Sequence, residues 1–197
     1  MKKSKFDFKY DIAVSGSAHL DSCIKGVHQK AYDTGKELAK NKCVVISGAT
    51  TGVPYVASCG SRDHGGLNIG FSPAASKNAH INRYKLPFEP YDVIVYTGAN
   101  YAGRDIIMTK SSEAVIIIAG GAGTMHEFLT AFETGKIIGV LEGTGGIAAD
   151  IKSFLSRVQR KAKSPILYDE NPKNLVKRVI SEVEKSNNII NNRTNLC

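Results

Sequence analysis

Nowhere does the chain hold an apolar run close to the roughly 20 residues that cross a bilayer. The opening MKKSKFDFKYD has lysines but no apolar stretch of signal-peptide length behind them. A cytoplasmic protein without membrane attachment is therefore expected. Cysteine is sparse: Cys23, Cys43, Cys59 and Cys197 are far apart, none in C-x-x-C spacing, and no histidines fall at metal-ligand intervals. Free thiols and no metal are expected. No G-x-G-x-x-G follows the first apolar segment, and the second ends in Ser47-Gly48 with no acid to take a ribose hydroxyl. This argues against a conventional dinucleotide-binding dehydrogenase. The absence of G-x-x-x-x-G-K-[ST] removes the P-loop nucleotidases, and no internal repeat or second domain is visible.

What is present is an ordinary globular composition, 197 residues with 42% hydrophobic and 22% charged, enough for one domain with its own core. The net charge of +8 comes partly from Lys2, Lys3, Lys5 and Lys9 and partly from Lys152, Arg157, Arg160, Lys161 and Lys163. Basic surface attracts anions, nucleic acid among them. The second cluster falls on a predicted surface helix without interleaved aromatics to stack bases, which favours a solvated face. The chain divides into a basic segment 1–9, a domain 10–186 and a polar, Asn-rich tail 187–197 expected to fray.

Short apolar strands are predicted at 10–14, 43–47, 67–71, 91–96, 114–119 and 136–141, with a short strand at most at 165–168. Helices are predicted at 24–40, 53–60, 102–112, 124–133, 147–163 and 171–185. Residues 72–90 hold three prolines and read as a long loop with at most a helical turn, a length often functional. Strands alternating with helices imply a doubly wound, mostly parallel α/β domain, Rossmann-like, covered on both faces.

In such sheets ligands sit outside the carboxyl ends of the strands. Here those ends run into small residues: Ser15-Gly16-Ser17, Gly48 to Gly52, Thr97 to Asn100 and Gly120 to Gly123. Tight turns want glycine for their own sake. Four on one edge favour an anionic or nucleotide ligand. The organising stretch is 114–133, a buried strand, the turn Gly120-Gly121-Ala122-Gly123, and a helix opening at Thr124. Free amides and the positive helix end point above that turn. Candidate phosphate-binding residues are Ser15, Gly16, Ser17, Gly48, Thr51, Gly52, Gly120, Gly121, Gly123 and Thr124.

Two charged residues follow the turns, Arg104 and Glu127, and they would share one crevice if the fourth and fifth strands were neighbours. Arginine offers a planar fork for phosphate, glutamate a charge or a base. Against these stand structural roles. Thr124-x-x-Glu127 has capping-box spacing, with the carboxylate folded back onto the helix end. Arg104 has Asp105 and Glu113 as surface ion-pair partners. His126 is read as a solvent-facing helix residue in preference to a general acid.

Residues 119–127, A-G-G-A-G-T-M-H-E, resemble the LOG (Lonely Guy) family pattern P-G-G-x-G-T-x-x-E, with Arg104-Asp105 at the family's upstream arginine. That family sits in a wider Rossmann-like group with the DNA-processing protein DprA and the molybdenum-cofactor carriers. The resemblance implies a phosphoribohydrolase without cofactor, cutting a nucleoside 5′-monophosphate to free base and ribose 5-phosphate. Gly121, Gly123 and Thr124 would then hold the phosphate, Glu127 would face the ribose, and Arg104 would position Glu127 or substrate. A homodimer is implied as well. Two departures stand out. Ala119 replaces the proline and is expected to be tolerated, while Asp105 replaces the lysine of plant members. Residues 65–73 with Asn82-Arg83-Tyr84 resemble the bacterial branch nearer the cofactor carriers. Two alternatives to the enzyme therefore remain, a non-catalytic carrier or sensor of a phosphate-bearing ligand and a single-strand DNA binder, the second disfavoured.

Overall fold

The computed structural model describes residues 7–20, 23–158 and 160–194. Most of the basic start, including Lys2, Lys3 and Lys5, lies outside the described residues, as does Cys197. One parallel sheet forms from β1 (Tyr10–Gly16), β2 (Cys43–Ser47), β3 (Leu67–Ser72), β4 (Val93–Tyr96), β5 (Ala114–Ile118), β6 (Ile137–Leu141) and β7 (Ile166–Asp169). Its order is β4-β3-β2-β1-β5-β6-β7. The intervening helices are α1 (Val27–Lys40), α2 (Val53–Arg62), α3 (Asn100–Ser111), α4 (Ala122–Thr134), α5 (Gly146–Arg157) and α6 (Pro172–Thr194). This is the single-domain, Rossmann-like α/β fold that the strand rhythm predicts.

Period-2 alternation divides the core between the two faces. Ile12, Val14, Val45, Ile116 and Ile118 pack with the buried sides of α1, α2 and α6. Ala13, Val44, Ile46, Val115 and Ile117 pack with Met108, Phe128 and Ile151 of α3, α4 and α5. β5 is buried along its whole length, and β-branched isoleucines suit a strand covered on both faces. Chain order runs outward from β1 to β4, then returns to place β5 on the other side of β1. The crevice between β1 and β5 is the topological switch point, where open α/β sheets bind ligands.

The fourth and fifth strands are not neighbours. β4 is an edge strand, separated from β5 by β3, β2 and β1. Arg104 and Glu127 meet nonetheless, because α3 crosses back beneath the sheet and packs on α4, against β3 and β1. Helix packing, not strand adjacency, joins them.

Two helix ends also differ from expectation. α5 stops at Arg157, and Val158 is already extended. Beyond it, Lys163 Nζ and Ser164 Oγ donate to the carbonyls of Glu133 and Gly135 at 2.7 and 2.6 Å, steering the chain into β7. α6 instead runs to Thr194, so the asparagine-rich stretch continues the helix. Asn187 Nδ2 donates to Glu113 Oε1 at 2.7 Å, and Tyr10 Oη to Glu184 Oε1 at 2.7 Å. Such tertiary ties override the poor helix propensity of asparagine.

The loop after β3 holds one π-helical turn, Ala79–Arg83. Its His80 is fully buried, with Nε2 2.9 Å from the Pro87 carbonyl and Nδ1 2.8 Å from Ser72 Oγ. A carbonyl only accepts, so Nε2 donates to the Pro87 carbonyl. One buried imidazole thus pins the middle of the loop to the end of β3. Nothing in the local pattern marks His80 for this.

Candidate functional site

A cavity of about 350 Å³ opens at the carboxyl ends of β1, β2 and β5. Its wall takes Gly16, Ser17, Ala18 and His19 after β1, Gly48 and Thr50 after β2, and Pro54 from α2. Tyr101, Arg104 and Asp105 enter from α3, and Gly121, Ala122, Gly123, Thr124 and Glu127 from the start of α4.

The turn before α4 separates two kinds of glycine. Gly120 has φ +96, and a Cβ there would lie 2.4 Å from Thr124 Oγ1, so the backbone itself demands glycine. Gly121 and Gly123 are different. Neither has a left-handed φ, and a Cβ at either would meet no atom within 4 Å. Packing and conformation leave these two positions open, and both border the cavity. The first amides of α4 have no intrahelical acceptor and, with the helix dipole, make this turn an anion cradle.

Ala119, the residue before that turn, has φ +51. Its N–H donates to Thr144 Oγ1 at 2.9 Å. Proline has neither the conformation nor the hydrogen, so alanine here is part of the local design and more than a tolerated exchange.

The capping-box reading of Glu127 fails. α4 opens at Ala122 with Gly121 at its N-cap and no side-chain cap, so Thr124 is already inside the helix. Glu127 is only 7% exposed and accepts a hydrogen bond from the Ser15 hydroxyl. Burial, then the negative charge of Asp105, pushes its pKa up to about 8, against the pull of Arg104 and of the Ser15 hydrogen bond. A hydrogen bond with Asp105 adds to the rise. Two carboxyls side by side share a proton.

Arg104 is buried as well, so its ion pair with Asp105, Nε to Oδ1 at 3.3 Å, is no surface contact. Among the described residues Nε has no hydrogen-bond acceptor, and Nη1 reaches only Met108 Sδ at 3.9 Å. The guanidinium thus keeps donor capacity beside the cavity. Glu113, the other partner considered, instead accepts from the Asp11 amide at 2.8 Å. His126 Nδ1 lies 3.2 Å from Asp105 Oδ2, linking the buried carboxyls to a partly exposed imidazole.

The predicted residues fall into two groups. Gly16, Ser17, Gly48, Arg104, Gly121, Gly123, Thr124 and Glu127 line the cavity, and Ser15 stands behind it on Glu127. Gly120, Thr51 and Gly52 do not line it. Thr51 Oγ1 donates to the Ala18 carbonyl at 2.9 Å, and Val53 N to the Ser17 carbonyl at 2.7 Å, stitching two loops together. At Gly52 a Cβ would sit 2.2 Å from that Ser17 carbonyl. His19, Thr50, Pro54 and Tyr101 were not picked out from sequence. Sequence offers Asp105 as a surface ion-pair partner of Arg104 and as a departure from the family, but not as a wall of the cavity.

Comparison with known proteins agrees with this geometry. The profile of the SLOG cluster4 family matches residues 9–176. An uncharacterized protein of Archaeoglobus fulgidus is 29% identical over 120 residues, 61% of this chain and 74% of that one. The solved structure of TM1055 is similar at a TM-score of 0.76 and 24% identity, over 88% of this chain and 99% of that chain. The molybdenum cofactor binding protein of the phototrophic bacterium Rippkaea orientalis gives 0.69 and 25%, over 88% and 96%. DNA processing protein A of Helicobacter pylori, solved for its single-stranded DNA binding mode, gives 0.59 and 18%, over 89% and 82%, a likeness of fold alone. With its glycine-rich turn, buried carboxyl pair and sheet topology in place, this chain belongs to the SLOG cluster4 family.

Proposed function

We propose that the cavity binds a nucleoside 5′-monophosphate and cleaves its N-glycosidic bond, releasing free base and ribose 5-phosphate. The observation that carries this is the buried Glu127–Asp105 pair beside the cradle. A site that only held an anion would gain nothing from two carboxyls in its wall, which repel phosphate and cost free energy to bury. An acid with pKa near 8 is suited to donate a proton at neutral pH.

The phosphate rests on the amides at 121–124, and Arg104 supplies its open donor. Glu127 gives its proton to the departing base nitrogen as the bond to the anomeric carbon breaks. Water adds to that carbon, and the proton it sheds returns to Glu127. Asp105, ion-paired with Arg104, lies beside Glu127 and favours the proton on that neighbour. A protonated Glu127 acts as a general acid, not as a charge that stabilises the sugar cation.

The cofactor-binding neighbour supports a second reading, a carrier of a phosphate-bearing cargo in the same cavity without turnover. The enzyme is also read as cytoplasmic and homodimeric. Ile106 and Ile107 of α3, with Leu129 of α4, expose apolar surface for a second copy. A panel of nucleoside monophosphates, assayed for base release and for thermal shift, separates the readings. Shift with release supports the enzyme, and shift without release the carrier. Steeply salt-dependent binding of an oligonucleotide would point to nucleic acid instead.

A further inference from the structure

We propose that Tyr101 is the platform on which a flat heteroaromatic ring of the ligand stacks, so that the site selects ring-bearing phosphate esters over bare sugar phosphates. This rests on the reading of residues 121–124 as the phosphate cradle.

Tyr101 lines the cavity, yet 48% of its surface is exposed. An exposed tyrosine in the first turn of a helix would ordinarily sample rotamers freely. This one is held. Tyr84 packs on it in an edge-to-face pair, centroids 5.8 Å apart at 71°. The Arg104 guanidinium lies 5.9 Å from its ring centre. Tyr84 is anchored in turn, its hydroxyl donating to Asn100 Oδ1 at 2.9 Å and its ring 5.7 Å from the Arg83 guanidinium. Tyr84 directly follows the π-helical turn that buried His80 pins to Ser72 and Pro87.

Loop 73–90 thereby gains a purpose. His80 fixes the turn, the turn places Tyr84, and Tyr84 sets the plane of Tyr101. Among the described residues the Tyr101 hydroxyl has no hydrogen-bond partner, so the ring and not the polar tip is what the bracing orients. A fixed, partly exposed aromatic ring in the wall of an anion-binding cavity is the arrangement that stacks a base. Arg104, touching both Tyr101 and Asp105, then couples the ring end of the ligand to the carboxyl pair.

The test is calorimetric binding of AMP and of ribose 5-phosphate to the full chain, in a Glu127→Gln background that stops turnover. Tyr101→Ala is expected to weaken AMP about tenfold, leave ribose 5-phosphate unchanged, and be rescued by Tyr101→Phe. Equal weakening of both ligands, or no change for AMP, overturns the proposal. So does AMP binding no tighter than ribose 5-phosphate before Tyr101 is changed, although the cradle then stands. If neither ligand binds, the cradle falls and the platform with it.

Discussion

The Arg104 guanidinium occupies the space that a side chain at Gly48 would fill. A Cβ on residue 48 would lie 1.5 Å from Nη1 and 2.6 Å from Cζ of Arg104. Glycine at the end of β2 therefore admits the charge that offsets Asp105 and Glu127. Gly48→Ala is expected to push the guanidinium out and leave the carboxyl pair uncompensated. The clash is with the far end of a flexible side chain, so the fold should survive at a cost of about 1–3 kcal/mol. Ligand-induced thermal stabilisation should fall to the level of Arg104→Ala, and a double variant should lose little more. Additive losses would show that the two residues act separately.

Glu127 makes stability depend on pH in a defined direction. Its folded pKa of about 8 lies above the ordinary 4.5, so the native state binds the extra proton between those values. Its stabilising contribution is complete below about pH 4.5 and disappears as pH rises through about 8. Glu127→Gln mimics the protonated form and should lack this loss. Melting curves from pH 5 to 8.5 should show the variant overtaking the parent by roughly 5–10 °C at the alkaline end. A constant difference across that range would mean that the carboxyl is ionised throughout. Asp105→Asn should shrink this loss and make it level off at lower pH, because it removes the charge that opposes ionisation of Glu127.

Ala119 supplies a test of the turn itself. At φ +51 a glycine loses the left-handed penalty but gains unfolded-state entropy, so Ala119→Gly should lie within about 1 kcal/mol of the parent. Ala119→Pro restores the letter of the family pattern while removing the N–H given to Thr144. It should cost about 3 kcal/mol or more, measured by chemical denaturation. An equally stable proline variant would show that this backbone is not held as described.

The parallel fold was legible because each strand is a short buried run ended by small residues. Cys43 to Ser47 and Ala114 to Ile118 are buried at every position, and that pattern reads directly from apolar content. The cradle was legible for a related reason, a run of glycines at a strand-to-helix turn, although only Gly120 is demanded by the backbone there. Other features rest on contacts distant in sequence. The meeting of Arg104 with Glu127 depends on how α3 crosses the sheet, which strand rhythm does not specify. Thr124-x-x-Glu127 matched a capping box because spacing ignores where the helix opens. Tyr84 and His80 act through a loop whose weak periodicity hid the π-helical turn. Asn187 is helical through its bond to Glu113, and local propensity alone predicts fraying there.

The most direct measurement is release of free base from AMP and the other nucleoside monophosphates, followed chromatographically for the parent chain, Glu127→Gln and Arg104→Ala. Base and ribose 5-phosphate are expected in equal amounts from at least one nucleotide, with a fall of about a hundredfold or more in Glu127→Gln. Arg104→Ala should lose activity as well. Undiminished release by Glu127→Gln, or no release from any nucleotide that stabilises the protein, would contradict the proposed cleavage.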